Sequence, residues 1–332
     1  MNSLVIRTDG YAEIGLGHLI RCISLAHMLK EDFKISFFCL SIPASIKQEI
    51  EQEGWTVYPL TTEVEFEEYL SGKEIAVLDG YQFDSDYQKR MKEKAGKLVY
   101  IDDFHDQYMY ADLVINHAPG VVEDDYQGES YTKYLLGPEY ALLRPEFLKN
   151  ERAATKVINE IKHLFICFGG SDSKNLTAKI LSWLPSDGYT VTVILGSAYT
   201  HQAKLKEVIE GRKDLKIVIW NSLNAKEMRE ELEKADLAIV PASGILFEVI
   251  ATNTPAISGF YVSNQKMIYK GFKKMGCFLD ADDFDRESFT NSIDNVTVEK
   301  QKEIKAKQNQ AIDNKSGHRL REEFRKLSVL CV

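Results

Sequence analysis

Cysteine and net positive charge are both scarce in this chain. Its five cysteines, Cys22, Cys39, Cys167, Cys277 and Cys331, are an odd number among 332 residues, widely spaced and without a Cys-x-x-Cys pair. That pattern excludes a disulfide framework and offers no zinc site. Cys39 and Cys167 fall inside apolar, strand-like runs, where a small buried thiol is the ordinary occupant. No apolar run reaches the roughly 18 to 20 residues of a membrane span, and the opening MNSLVIRTDG lacks a signal-peptide layout. A cytoplasmic protein without membrane insertion is the expectation. Lys and Arg number 41 against 50 Asp and Glu, a formal charge of −9. The deficit disfavours nucleic-acid partners and anionic membrane surfaces, which both need clustered basic residues.

Two further absences exclude familiar chemistries. A dinucleotide fingerprint would place a third glycine after Gly15 and Gly17, but His18, Leu19 and Ile20 follow instead. An Asp-x-Asp pair that would hold a metal is looked for at Asp84-Ser85-Asp86, which comes after the strand-like run 75–79 has closed and reads as a turn capping the helix YQKRMKEKAG. No cofactor and no metal are therefore expected.

What is present is a globular composition, 44% hydrophobic, 11% aromatic and 27% charged, in a chain long enough for two cores. Short apolar runs alternate with longer amphipathic segments, the rhythm of parallel strands joined by helical crossovers. Runs at 4–8, 35–40, 55–60, 75–79, 98–103, 113–117 and 134–137 form one set; those at 163–170, 191–196, 215–220, 237–242, 255–260 and 277–280 form a second. The reading is an α/β chain of two Rossmann-like domains, with parallel sheets facing each other across a cleft. Residues 1–148 make the first domain and 160–300 the second, with a polar linker near 145–162 after Pro145. The remainder, 301–332, reads as a charged C-terminal helix, either solvated or packing back on the first domain.

Chemistry concentrates in loops that follow strands. In IRTDGYAEIGLGHLIRC, strand 4–8 leads through Gly15 and Gly17 into a helix starting near His18. At the carboxyl end of a parallel strand such a loop faces the ligand crevice, where glycine permits close approach. An imidazole at that helix start suits removal of a proton from water or an acceptor hydroxyl. His27, deep in the same helix, carries no such reading. A second loop, Gly169-Gly170-Ser171, makes a small anion nest before another helix. In a third segment, ADLAIVPASGILFEVIATNTPAIS, Ser243 and Gly244 sit at a helix N-terminus able to bind a diphosphate, and Glu248 lies one turn on, able to accept both hydroxyls of a ribose. The alternative is that Ser243 only caps the helix and Glu248 is solvated. Asn264 and Gln265 could hydrogen-bond a sugar or phosphate.

The stretches IRTDGYAEIGLGHLIRC, LDGY, IDD, LLGPEYALLRPEF, the GGSD loop, ASGILFE and the Asn-Gln pair, spread over nearly the whole chain, resemble the UDP-2,4-diacetamido-2,4,6-trideoxy-β-L-altropyranose hydrolases of pseudaminic acid biosynthesis. Those enzymes are themselves similar to MurG-type GT-B glycosyltransferases. The resemblance implies a GT-B fold whose second domain holds UDP through Ser243, Gly244 and Glu248, while the first holds the sugar. It implies a base at His18, a sugar-lining tyrosine at Tyr81, and water attacking the anomeric carbon with inversion. Arg21, in the first matching stretch, joins the substrate-binding candidates. Asp79 and Asp103 end their strands and could orient sugar hydroxyls or His18, or cap the following loops. A small-molecule UDP-sugar is the implied partner. A GT-B transferase using the same donor is the rival reading, since the same base could activate an acceptor hydroxyl.

Overall fold

All thirteen apolar runs become strands of two parallel sheets, one of seven strands and one of six. The structure, a computed structural model, describes residues 2–10, 16–149 and 160–329. It divides into two units, Met1–Pro145 with Lys315–Val332, and Glu146–Asn314.

In the first unit β1 (Asn2–Thr8) is followed by α1 (Gly17–Leu29), β2 (Phe33–Cys39), α2 (Ala44–Gln52), β3 (Thr56–Pro59), α3 (Glu63–Tyr69), β4 (Ile75–Asp79), α4 (Ser85–Lys94) and β5 (Lys97–Ile101). β6 (Tyr108–Met109), β7 (Leu113–Asn116), β8 (Gln127–Gly128) and β9 (Lys133–Leu136) follow. The sheet order is β3-β2-β1-β4-β5-β7-β9, every pair parallel, and β6 pairs with β8 apart from it. Leu4, Val5, Ile6, Ala76, Val77 and Leu78 are wholly buried. Continuous apolar strands of this kind need cover on both faces, which the crossover helices provide. Asp84 caps α4 by accepting from Tyr87 N, which fixes the chain just beyond β4.

The second unit runs β10 (His163–Cys167), α5 (Leu176–Trp183), β11 (Thr190–Leu195), α6 (Gln202–Gly211), β12 (Lys216–Asn221), α7 (Ala225–Lys234), β13 (Leu237–Pro241), α8 (Gly244–Ala251), β14 (Ala256–Gly259), α9 (Lys266–Met275), β15 (Leu279–Asp280), α10 (Arg286–Asp294) and α11 (Val298–Ala311). Its strand order is β12-β11-β10-β13-β14-β15. The core gathers Leu164, Ile166, Val191, Val193, Leu237, Ile239 and Ile257 from the strands with Phe168, Phe284 and Phe289.

The charged C-terminal segment is two helices, a departure from the single helix expected over 301–332. α11 stays in the second unit, where buried Gln308 donates to Thr254 O at 2.9 Å and Cys277 O at 3.0 Å. Asn314, at φ 59°, then turns the chain, a left-handed conformation that asparagine tolerates. α12 (Ser316–Val329) belongs to the first unit and packs on α1. Among its described side chains Leu320 and Phe324 are wholly buried, and their four-residue spacing is easily lost among surrounding charges. No helix among the described residues is long and apolar enough to cross a membrane.

Candidate active site

The order of the first sheet reverses between β1 and β4, so the connections leaving their carboxyl ends go to opposite sides and frame a crevice, the place where open α/β sheets bind ligands. α1 leaves from one side of that crevice and presents His18 in its first turn. Asp79, the last residue of β4, stands on the other side. Gly17 opens α1 with nothing within 4 Å of the place a side-chain carbon would take, whereas Gly15 lies outside the described residues.

His18 Nδ1 is 2.6 Å from Asp79 Oδ1 and 3.0 Å from Arg21 Nη2. The second contact is between two donors. Arg21 Nη2 directs its hydrogens to Asp79 Oδ1 at 2.6 Å and Asp103 Oδ2 at 3.1 Å, Nη1 donates to Asp103 Oδ1 at 2.6 Å, and Nε to Asp79 Oδ2 at 2.7 Å. With both Nη2 hydrogens engaged, Nδ1 of His18 is the nitrogen that donates to Asp79, which leaves Nε2 as the nitrogen that can exchange a proton with a ligand. The arrangement is an oriented imidazole base.

Burial alone would push Asp79 toward its neutral form, but Arg21 and His18 outweigh it and hold the carboxyl well below the usual range. Asp103 is likewise lowered, burial being overcome by Arg21. Arg21 is raised against its own burial by the two acids. Cys22 donates from Sγ to Asp79 Oδ2 at 3.2 Å, and burial with that neighbouring charge raises the thiol. Tyr81 sets its ring edge against His18, centroids 4.6 Å apart, and donates from Oη to Asp103 Oδ2 at 3.1 Å. A cavity of about 340 Å³ opens beside these groups, lined by His18, Arg21, Tyr81, Asp103, Phe104 and Gln107 among others.

Two candidates change role. Asp79 is fully buried and, of the roles open to it, is engaged in orienting His18. Arg21 lines the cavity, yet at least four of its donors are committed to carboxylates, which makes it the charge partner of the acids before it is a substrate ligand.

In the second unit the strand order reverses between β10 and β13. The loops that follow them carry Gly169-Gly170-Ser171 and Ser243-Gly244, so both sets stand at the unit's own crevice. The loop of the first set does not itself open the helix, so the start of α5 is not part of the anion nest expected there. α5 starts only at Leu176, and Asp172 places its carboxylate on Leu176 N and Thr177 N, at 2.7 and 2.9 Å. The helix N-terminus already holds the chain's own anion, and a phosphate there would meet a negative charge. Gly169 adopts φ 78°, and a side-chain carbon at Gly196 would lie 2.3 Å from Gly170 O. Sequence reasoning passed over both Asp172 and Gly196; the signals were an acid shortly before a helix and a glycine closing a strand.

α8 differs. Ser243 is its N-cap residue but makes no side-chain capping bond, and Gly244 is exposed with open space around it. Glu248 is buried among Leu246, Phe247, Val249 and Ile250, so it is not a solvated helix residue. Asn264 is partly exposed after β14. Gln265 is buried and accepts from Tyr261 N at 2.9 Å through its side-chain oxygen, which braces its own loop.

No family model matches the chain. Among curated proteins it is 28% identical over 307 residues to an uncharacterised protein of Methanocaldococcus jannaschii, covering 85% of this chain and 63% of that protein's length. It is 27% identical over 281 residues to the UDP-2,4-diacetamido-2,4,6-trideoxy-beta-L-altropyranose hydrolase of Campylobacter jejuni, 82% of this chain and 97% of that one. A Bacillus subtilis spore coat polysaccharide biosynthesis protein, SpsG, is 27% identical over 286 residues, 83% and 82% of the two chains. Of solved structures, Acinetobacter baumannii MurG aligns over 98% of this chain and 99% of its own, TM-score 0.63 at 12% identity. Anabaena HepE in complex with UDP and glucose aligns over 98% and 99%, TM-score 0.61 at 12% identity. The fold is the GT-B fold.

Proposed function

We propose that this protein hydrolyses a UDP-linked diacetamido-trideoxy sugar to UDP and the free sugar, without a metal, in pseudaminic acid biosynthesis. The observation that carries the reading is the imidazole of His18, held by Asp79 with Nε2 as the basic nitrogen beside a cavity at the first unit's crevice. His18 Nε2 takes a proton from water. The water oxygen bonds to the anomeric carbon from the face opposite the diphosphate, the bond from that carbon to the β-phosphate oxygen breaks, and UDP leaves with the electron pair. Attack from the opposite face inverts the centre. Asp79 stabilises the imidazolium that forms.

Tyr81, with its ring on His18 and its hydroxyl on Asp103, is the residue of this group best exposed for contact with the sugar. For UDP, the uncapped N-terminus of α8 at Ser243 and Gly244 suits the diphosphate, and Glu248 the ribose. Similarity to the Campylobacter hydrolase along most of both chains supports the sugar class. The fold is equally that of MurG, so transfer to an acceptor hydroxyl is the second reading.

Phosphorus NMR decides between them. The protein is incubated with the UDP-diacetamido-trideoxy-altrose in half ¹⁸O-labelled water, without metal or acceptor. Unlabelled UDP, lost in His18→Asn, is the expected result. Release of UDP only after an acceptor is added would give the reaction to a transferase.

A further inference from the structure

The acidic cluster around Arg21 is larger than an oriented base requires. Asp79 alone fixes the tautomer of His18. Asp103 adds a second carboxylate, accepting from Arg21 Nη1 at 2.6 Å and Nη2 at 3.1 Å on the side of the guanidinium away from Asp79. With His18 neutral, the cluster of His18, Arg21, Asp79 and Asp103 has one cation against two anions. When His18 takes up a proton, the charges balance.

We propose that Asp103 is a positioning residue that sets the proton affinity of His18, by drawing the Arg21 guanidinium between two carboxylates and by supplying the negative charge that balances the protonated imidazole. The inference rests on the reading of His18 as the base. Without Asp103, a full cation 3.0 Å from Nδ1 would be offset by Asp79 alone, and protonation of His18 would become harder. Proton transfer to His18 during attack would then be less favourable, because efficiency follows the match between the base and its working pH.

The surroundings leave this balance to those groups. From α1, His18 meets Arg21 and the raised thiol of Cys22. From β4 and the loop after it come Asp79 and the phenol of Tyr81. Tyr100, on β5, is raised well out of the neutral range, by burial first and then by Asp102, Asp79 and Asp103. Beyond β7, burial and then Arg21 pull His117 down to about 4, so it is neutral when His18 works. Asp9, after β1, is turned the other way onto Arg7, Leu40 N and Ser41 N. Asp102 is turned onto His105 N and Tyr126 Oη. Asp84 caps α4, and Asp106 is exposed at the cavity wall.

The test uses the full chain without substrate, so it is independent of whether the proposed hydrolysis occurs. Histidine-selective ¹⁵N labelling and an NMR titration from about pH 5 to about pH 9 follow His18, assigned with His18→Asn. Asp103→Asn is expected to lower its midpoint by about one pH unit, and Asp103→Glu to restore it to within a few tenths. The acid limb of kcat/KM in Asp103→Asn should move down by the same amount. An unchanged or raised midpoint in folded Asp103→Asn overturns the proposal. Should that variant not fold, the Asp103 carboxyl carbon of the unmodified protein must show an inflection at the His18 midpoint; a flat trace there overturns it equally.

Discussion

His18 and Asp79, 61 residues apart in sequence, meet at 2.6 Å between Nδ1 and Oδ1. The contact is possible because β1 and β4 are adjacent strands, which brings the helix after one to the end of the other. An amide at position 79 can still bond Nδ1, but as a donor it would favour the tautomer with hydrogen on Nε2. Asp79→Asn is therefore expected to reduce kcat by about a thousandfold with KM within about threefold, since the group acts on the base and not on bound substrate. Steady-state kinetics at several pH values checks this; loss confined to KM would contradict it.

Acid sensitivity follows from the same cluster. Asp79 and Asp103 both have folded-state pKa values below the ordinary 3.8. Their contribution to stability is thus complete above that value and is lost as pH falls from about 4 toward the folded values. Urea midpoints should drop more steeply below about pH 4 in the unmodified chain than in the Asp79→Asn, Asp103→Asn double variant. Parallel curves would mean that the two acids contribute little to folding.

Phe324 anchors α12 on the first unit, fully buried and edge-on to Phe33 at 6.2 Å. Phe324→Ala should cost about 3 to 5 kcal/mol in a denaturant titration. Arg325→Ala, which removes the exposed pair with Asp32, should leave the midpoint nearly unchanged, because solvent screens that pair. Equal losses would argue that charge and not apolar packing holds this helix.

Two glycines of the second unit should separate fold from ligand. Gly196→Ala places a carbon against the backbone of Gly170 and should destabilise the unit by about 1 to 3 kcal/mol. Gly244 has open space around it, so Gly244→Val should leave the urea midpoint nearly unchanged while weakening UDP binding about tenfold or more, by calorimetry. UDP binding unaffected by Gly244→Val would remove the α8 N-terminus from the proposal.

Much of the architecture is legible in the order of residues. Strand runs such as IAVLD and LAIVP are buried on both faces and therefore carry their signal as unbroken apolar stretches. The break between α11 and α12 is not legible, because Gln308 is buried by two backbone carbonyls from other segments and reads in sequence as one more polar residue.

The sequence by itself determined that parallel strands would alternate with helices, that glycine-bearing loops would end β1, β10 and β13, and that an imidazole would open α1. Those are local properties of hydrophobic period and backbone freedom. Only the tertiary structure decided what each polar side chain does there. Of the roles open to Asp79 it selected the pairing with His18, and it gave Gln265 a place in bracing its own loop. It engaged Arg21 with two acids and filled the start of α5 with Asp172. A carboxylate in a sequence has no direction; the pairing of distant strands supplies one, and burial then makes whichever partner it meets the stronger determinant of its charge.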